Sequence, residues 1–248
     1  PSHLLSNRTM RWTCKLISML GRIRELKKAT SAFLTLNKIR FGSLRTINPV
    51  DRDFGFNLGT PIDRYYIENF IREHSHLIQG EVLEVGEDSY TSKYALEEHR
   101  LTVLNVVDKP GCLKGDLESG NGIPENAFDC VIMTQTLPFI YDVKSAVFHV
   151  HKLLKPGGHL LATNPCISQI SRFDMDRWGD YWRFTPLSIR RLLENYFQKD
   201  NIQIESHGNS LSSTCFIQGI PSEKLSLREL DHADKDYPVT ITSLAQKV

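Results

Sequence analysis

The segment 81–90, EVLEVGEDSY, ends a short apolar run with an acid and a glycine two residues apart, Glu84 and Gly86. A glycine at that point lets the chain turn sharply, so that its backbone can approach a bound nucleoside closely. The further glycines of a dinucleotide-binding fingerprint are missing, and Glu87 and Asp88 would repel a pyrophosphate at a helix start. These residues favour a cationic or zwitterionic nucleoside cofactor, with a plain strand-to-helix turn as the alternative.

Polar residues follow the later apolar runs at the places where a nucleoside cofactor would need them. Asp108, with Asn105 as its rival, could accept hydrogen bonds from ribose hydroxyls. Asp116, followed by Leu117, could face an adenine amino group. Three small polar residues come directly after the run FDCVIM, namely Thr134, Gln135 and Thr136. Taken singly, Asp108 and Asp116 are more often solvated loop residues. Only their order along the chain, together with the other polar residues, indicates a cofactor.

Short apolar runs alternate with helical stretches from residue 81 onward. The expected strands are 81–85, 101–107, 128–133, 159–164, 202–208 and 237–245. The expected helices cover about 88–98, 143–154, 186–197 and 211–220. Strands that are apolar on both faces and alternate with helices predict an α/β fold with a doubly wound, mostly parallel sheet. Ligands bind such a sheet beyond the carboxyl ends of its strands.

A helix is also expected before the first strand. Thr60 supplies a capping hydroxyl, Pro61 suits the first turn and Asp63 follows three residues after the cap, which predicts a helix from there to about Leu77.

The N-terminal segment differs in charge from the rest of the chain. Residues 1–50 carry ten lysines and arginines against one acid, a charge of +9, and the remainder carries twenty against twenty-eight, a charge of −8. We therefore predict a basic arm, 1–50, and a main domain, 51–248. Apolar residues recur in the arm at three- and four-residue steps, which predicts an amphipathic helix; they are Trp12, Leu16, Met19, Leu20, Ile23 and Leu26. A second, weaker helix is expected through Phe33, Leu36 and Ile39.

Composition excludes several classes of protein. Of the 248 residues, 40% are apolar and 24% charged, as in ordinary globular chains, and no apolar run reaches the roughly 18–20 residues that cross a bilayer. Five dispersed cysteines argue against a disulfide scaffold and favour a reducing, cytoplasmic location. No pattern suggests a metal site, and the basic residues lack the interleaved aromatics of a nucleic-acid binder.

In this order the motifs resemble the class I S-adenosylmethionine-dependent methyltransferases. The resemblance rests on EVGEDSY, IPENAFDCVIMTQTLPFI and LLKPGGHLLAT, and it covers about 60–248. The combination of GTPIDRYYIENFI, FDCVIMTQTLPFIYD and WGDYWRFTPLS is similar to a bacterial group that accompanies glycosyltransferases in polysaccharide synthesis. The chain departs from the usual E/DxGxGxG pattern, because of those glycines only Gly86 remains.

The resemblance implies a Rossmann-like, seven-stranded sheet and S-adenosylmethionine as the cofactor. It implies a cofactor site made by Arg64, Tyr65, Glu84, Gly86, Asp108, Asp116, Leu117, Thr134, Gln135 and Thr136. Arg64 or Tyr65 would close over the carboxylate end of the cofactor.

On the acceptor side, WGDYWRFTP suggests Asp180 as the proton acceptor, with His207 and Asp142 as the next candidates. The same segment suggests a substrate-binding group of Trp178, Tyr181, Trp182 and Arg183. The alternative is structural, with the aromatics capping the sheet and Arg183 serving as an internal ion-pair partner.

Two functions from different classes follow from these observations. The first is an enzyme that methylates a sugar hydroxyl of a polysaccharide or its precursor, and the second is a non-catalytic binding or assembly module with the same fold. Residues 1–45 could contact an anionic membrane surface or a glycosyltransferase, or could pack on the main domain or another subunit. The interruption of the apolar stripe at Gly21 favours packing.

Overall fold

The computed structural model describes residues 40–248, together with 20, 24–28, 30, 31, 34, 35 and 38. The chain divides into two units, Pro1–Ile47 and Asn48–Val248. In the first, residues 20 and 24–28 are helical, and Leu20 and Leu26 are exposed. The other apolar positions of the two helices expected in the arm lie outside the described residues. The arm boundary at residue 50 stays a prediction.

One seven-stranded sheet organises the second unit. Its strands are β1 (Gly80–Val85), β2 (His99–Asn105), β3 (Leu113–Lys114), β4 (Phe128–Thr134), β5 (Leu154–Pro165), β6 (Ile202–His207) and β7 (Thr240–Gln246). Their order is β3-β2-β1-β4-β5-β7-β6. The strands from β3 to β5 pair in parallel, and β7 runs antiparallel to both of its neighbours. The prediction of a doubly wound, mostly parallel sheet of the methyltransferase type is confirmed.

Helices cover both faces of this sheet. They are α1 (Ile62–Glu73), α2 (Ser89–Tyr94), α3 (Val143–Leu153), α4 (Arg172–Met175), α5 (Pro186–Leu193), α6 (Ser210–Gln218) and α7 (Leu227–Asp231). On one face, α1 and α2 pack on Val82, Cys130 and Ile132. On the other, α3 and α5 enclose a larger core. This alternation of apolar strands and amphipathic helices is what places all the parallel carboxyl ends at one edge.

Local signals explain where several helices begin. The Asp142 carboxylate accepts hydrogen bonds from the first turn of α3, and a reciprocal capping box at Thr185 starts α5. The expected cap of α1 is different. Pro61 is the N-cap residue and makes no side-chain cap, while the Thr60 N–H donates to the Glu223 carboxylate at 3.0 Å. Helix α1 also ends at Glu73, earlier than expected.

The sequence did not reveal three short elements, β3, α4 and α7. Each is two to five residues long, too short for a hydrophobic period to be visible. Strand β2 lies two residues earlier than expected and β7 starts three residues later. Within the described part of the chain, no helix is long and apolar enough to cross a membrane. The same residues contain no cluster of three or more His, Cys, Asp or Glu placed to hold a metal ion.

Candidate active site

A cleft of about 560 Å³ opens at the carboxyl ends of β1 and β4. Its walls come from the segment before α1, from α1 itself, from the β1–α2 loop and from the end of β4. The lining residues are Phe56, Gly59, Thr60, Pro61, Arg64, Glu68, Glu84, Val85, Gly86, Glu87, Ser89, Tyr90, Lys93 and Thr134. Of the predicted cofactor residues, the structure therefore brings Arg64, Glu84, Gly86 and Thr134 together.

Gly86 shapes the floor of the cleft. Its φ is +94°, a conformation that side chains other than glycine rarely adopt, and a Cβ added there would meet no atom within 4 Å. The Gly86 N–H donates to the Leu104 carbonyl at 2.9 Å, and its carbonyl accepts from Asn105 Nδ2 at 3.2 Å. The backbone thus turns beside open space, where a ligand can approach it.

Glu84 is buried, and it fixes the start of α2. One carboxylate oxygen accepts a hydrogen bond from the Tyr90 N–H at 2.9 Å and the other from the Thr91 N–H at 2.8 Å. Burial raises the pKa of Glu84, and these two hydrogen bonds oppose the rise. The carboxylate therefore orders the loop that surrounds Gly86, and its predicted contact with the cofactor stays a prediction.

Arg64 places a cation in the cleft, whereas Tyr65 points elsewhere. The Arg64 guanidinium donates to the Tyr90 hydroxyl and lies 5.7 Å from the ring centroids of both Phe56 and Tyr90. The Tyr65 hydroxyl donates to Asp231 at 2.6 Å, and its ring lines a second, smaller pocket of about 140 Å³. Of the two predicted candidates for the carboxylate end of the cofactor, Arg64 is the one that lines the cleft.

The residues predicted for ribose and adenine lie in the loops after β2 and β3. Asp108 is exposed, while its rival Asn105 reaches the Gly86 carbonyl. The Asp116 carboxylate accepts from the Glu118 N–H at 2.8 Å and from Ser119 Oγ at 2.7 Å. Leu117 is 5% exposed and belongs to the core. Of these residues, Asn105 is therefore the one that contacts the cleft, through its hydrogen bond to Gly86.

The end of β4 has an unusual backbone. Gln135 has a φ of +49°, in the left-handed region, and its N–H donates to the Thr163 carbonyl at 2.9 Å. A conformation of this kind costs a residue other than glycine about 1–2 kcal/mol. Thr136 Oγ1 donates back to the Thr134 carbonyl at 3.1 Å. The chain thus turns sharply as soon as it leaves the sheet.

Asp180 is held in an internal ion pair. Its carboxylate accepts from Arg183 Nη1 at 2.5 Å, from Arg183 Nη2 at 2.9 Å and from the Ser171 N–H at 2.9 Å. Burial would raise the pKa of Asp180, but these donors lower it below its ordinary value. Both oxygens are occupied, so the geometry does not support the prediction that Asp180 is a base. Arg183 also donates to the Gln169 carbonyl, which makes it a structural clamp rather than a free substrate ligand.

The other two candidate bases are also engaged. The Asp142 carboxylate accepts from the Lys144 and Ser145 N–H groups and from Ser145 Oγ, and these bonds lower its pKa. His207 lies in the second pocket, where Nε2 is 2.9 Å from Thr242 Oγ1. Burial lowers the pKa of His207 below its ordinary value, against the opposing effect of Glu205 and Glu73. Neither lines the main cleft.

Two of the predicted aromatic residues, Tyr181 and Trp182, form a group with Tyr141. Trp182 Nε1 donates to the Ile140 carbonyl at 3.1 Å, and the Trp182 ring lies 5.9 Å from that of Tyr141. The Tyr181 ring meets Tyr141 edge-on at 5.4 Å. Tyr141, Tyr181 and Trp182 all keep a third or more of their surface exposed. Trp178 is separate, and its Nε1 donates to Asp174 at 3.0 Å.

Sequence reasoning missed Phe56 and Lys93, which also line the cleft. Phe56 belongs to FGFNLGT, directly before α1, and that position was the only available signal. Lys93 is bound to Glu68 at 2.9 Å across α1 and α2, a pairing that sequence spacing does not reveal.

Comparison with known proteins agrees with this geometry. Residues 82–162, from β1 to the middle of β5, match a family model described as a methyltransferase domain. Within these residues the chain is similar to a methyltransferase domain. The predicted class is thereby confirmed, together with S-adenosylmethionine as the cofactor of that class.

The curated relatives are much longer proteins. Probable polyketide synthase 5 of Dictyostelium discoideum is 32% identical over 94 residues, which cover 36% of this chain and 4% of the relative. Probable polyketide synthase 13 of the same organism is 30% identical over 116 residues, which cover 42% and 4%. The chain therefore spans about 4% of the length of these relatives.

Solved structures of methyltransferases are distant likenesses. A SAM-dependent methyltransferase from Archaeoglobus fulgidus is 14% identical with a TM-score of 0.49, covering 74% of this chain and 94% of that one. One from Mesorhizobium loti is 14% identical with a TM-score of 0.48, covering 75% and 98%. The similarity to methyltransferases rests on the strand order and on the match of residues 82–162 to the family model, not on these structures.

Proposed function

We propose that this chain transfers a methyl group from S-adenosylmethionine to an oxygen of its acceptor, a sugar hydroxyl of a polysaccharide or of its precursor. The observation that carries the proposal is the cleft at the carboxyl ends of β1 and β4, in which Gly86 turns beside open space and Arg64 supplies a cation. That combination suits a nucleoside with a zwitterionic tail.

Several residues would hold the cofactor. Arg64 would bind its carboxylate, because the guanidinium lines the cleft between two aromatic rings. The Gly86 backbone would lie against the nucleoside, with Asn105 and Asp108 available to the ribose and Asp116 near the adenine. Thr134 closes the opposite wall. The bound sulfonium supplies an activated methyl group, so the contribution of the chain is to orient the acceptor oxygen in line with it.

The acceptor side supports a sugar. Tyr141, Tyr181 and Trp182 present exposed rings on which a pyranose can stack, and the Arg183–Asp180 ion pair fixes the segment that carries two of them. Aromatic side chains of this kind provide a large contact area at low conformational cost. In this arrangement the ion pair shapes the acceptor site without moving the proton.

Calorimetric titration of the Gly86→Val variant tests the cofactor site. We expect the wild-type chain to bind S-adenosylmethionine and S-adenosylhomocysteine, and we expect Gly86→Val to lose both. Valine cannot adopt the Gly86 backbone without strain, and its side chain would occupy the space left for the ligand.

Gly157→Val is the matched control. Gly157 also has a positive φ, +83°, with open space around its Cβ position, but it lies at the start of β5 and does not line the cleft. The control should bind both ligands like the wild type. Unchanged affinity in a folded Gly86→Val protein contradicts the placement.

A cytoplasmic location, and a contact of residues 1–45 with an anionic membrane surface or a glycosyltransferase, complete the proposal. Their support is the sequence alone, through the +9 charge of the first 50 residues.

A further inference from the structure

Three buried amide oxygens lack hydrogen-bond donors in the part of the chain that the structure describes; one, Gln218 Oε1, lies at the end of α6, and the other two lie at the carboxyl edge of the sheet. The two at the sheet edge are Gln135 Oε1, directly after β4, and Asn164 Oδ1, near the end of β5. Buried polar atoms are nearly always paired, because an unpaired one has lost its hydrogen bonds to water without replacement. What distinguishes these two acceptors is that they share one edge of the sheet, where a single ligand could donate to both.

The two residues lie side by side at the carboxyl edge of the sheet. Thr134 and Thr163 are register partners in β4 and β5, so Gln135 and Asn164 are the next residues along the two neighbouring strands. The Gln135 N–H continues the ladder by donating to the Thr163 carbonyl. Thr134 lines the cleft and is followed directly by Gln135, so the pair lies beside the cleft without lining it.

The backbone of Gln135 is a second, independent observation. Its φ of +49° would suit glycine, yet the position holds a long amide side chain. Strained backbone of this kind persists where the surrounding structure fixes it, and it is concentrated at functional sites. The fold therefore keeps an amide side chain at this edge of the sheet despite the cost of its backbone conformation.

The segment that bears the aromatic group closes over the same edge. The Tyr181 N–H donates to the Pro138 carbonyl after β4, and the Phe184 N–H donates to the Pro165 carbonyl at the end of β5. The edge therefore combines amide oxygens from the strands with rings from the covering segment. A saccharide has the matching chemistry, since its hydroxyls donate hydrogen bonds along the edge of the ring and its C–H face stacks on aromatic rings.

We propose that Gln135 and Asn164 form an acceptor-reading pair, in which each amide oxygen accepts a hydrogen bond from one of two neighbouring hydroxyls of a saccharide ring. This inference rests on the proposed function. It takes Gln135 out of the predicted cofactor set and adds Asn164, which the sequence did not suggest. Because the two oxygens are covered in this structure, a local rearrangement at this edge of the sheet must precede binding of the sugar.

The test uses the full chain saturated with S-adenosylhomocysteine and titrated with the methyl glycosides of glucose, galactose, mannose, rhamnose and fucose. The variants are Gln135→Gly, which suits the left-handed backbone, and Asn164→Leu, which keeps a similar volume. We expect at least one glycoside to bind, and each variant to weaken that binding about tenfold, as loss of a hydrogen bond to a buried acceptor does. The affinity for S-adenosylhomocysteine should change by less than about twofold, because neither side chain belongs to the cofactor site.

Ser243→Ala is the matched control. Ser243 Oγ is also buried without a partner, but it lies on β7 opposite Ala162, farther from the carboxyl edge, and its loss should leave glycoside binding unchanged. Wild-type glycoside binding in both Gln135→Gly and Asn164→Leu overturns the pair and indicates that only buried waters meet these oxygens. Failure of every glycoside to bind the loaded protein also overturns the inference while the cofactor site stands. Failure to bind S-adenosylhomocysteine overturns the proposed function itself.

Discussion

Carboxylates that the sequence suggested for chemistry mostly hold the chain in place. Asp180 binds Arg183, Asp142 caps α3 and Glu84 holds the first amides of α2. One of these roles has a sequence signal, because an acid before a helix is a common cap. Residues 180–183 are not helical, so the spacing of Asp180 and Arg183 did not predict their ion pair. The sequence therefore singled out these three carboxylates correctly as important. It did not reveal their roles, because the roles depend on partners that only the fold brings together.

Replacing Asp180 should change stability more than catalysis. Asp180→Asn removes the charge opposite Arg183 from a site where the Asp180 side chain is 1% exposed and that of Arg183 is 27% exposed. We expect a loss of about 2–3 kcal/mol at pH 7, less than for a fully buried pair because the arginine is partly hydrated. Urea denaturation measures it, and Arg191→Gln, at an exposed arginine, is the control with little effect.

The same substitution has a pH signature. The pKa of Asp180 is lowered in the folded chain, so its stabilisation is complete above the unfolded-state value of about 4 and is lost as the pH falls below it. The stability difference between wild type and Asp180→Asn should therefore shrink on acidification below about pH 4. A constant difference from pH 7 to pH 3 would mean that the ion pair contributes nothing.

At the scale of elements, the sequence predicted most of the architecture but not the segment that closes the cleft. Five of the six longer strands were expected within three residues of their observed starts, because a buried strand is a continuous apolar run, whereas β5 begins five residues before its expected start. Residues 50–60, which we call the strap, show no period. Their position depends on distant partners: the N–H groups of Val50 and Asp51 both donate to the Gln218 carbonyl, at the end of α6.

Gly219 is the residue that lets the strap lie against α6. It ends the helix with a φ of +66°, and a Cβ added there would lie 2.1 Å from the Asp51 carbonyl oxygen. Because the Asp51 carbonyl belongs to the backbone, a side-chain rearrangement cannot relieve this contact. Phe56, Gly59 and Thr60 of the strap line the cleft, so displacement of the strap should lower the affinity for the cofactor.

Gly219→Ala should therefore lower stability and cofactor affinity together. Gly157→Ala is the control, since both glycines have a positive φ but only Gly219 meets backbone. The backbone strain alone costs about 1 kcal/mol in each variant, and the clash should add about 1–3 kcal/mol in Gly219→Ala. Urea denaturation and titration with S-adenosylhomocysteine measure both effects. Equal losses in the two variants would show that the contact with Asp51 is relieved without cost.

At the scale of the whole molecule, the excess of positive charge and the residues that line the cleft lie in different parts of the sequence. The first 50 residues carry +9 and the remainder −8, whereas every residue that lines the cleft lies between Phe56 and Thr134. The basic residues Arg24, Lys27 and Lys28 are exposed. None of the residues that line the cleft belongs to the first 50 residues, so we expect the arm to serve location or association rather than cofactor binding.

Deleting residues 1–45 should leave the affinity for S-adenosylhomocysteine within about twofold of the wild-type value, because none of the cleft residues is removed. Titration of the truncated chain measures this, and a large loss of affinity would place the arm in the cofactor site.

Sedimentation with anionic vesicles separates the two interpretations of the arm, which are binding to a membrane surface and packing against protein. Binding to a membrane surface requires that the full chain sediments, that salt releases it and that the truncated chain stays in solution. If neither chain sediments while the truncated one unfolds at lower urea, the apolar stripe of the arm is buried against protein.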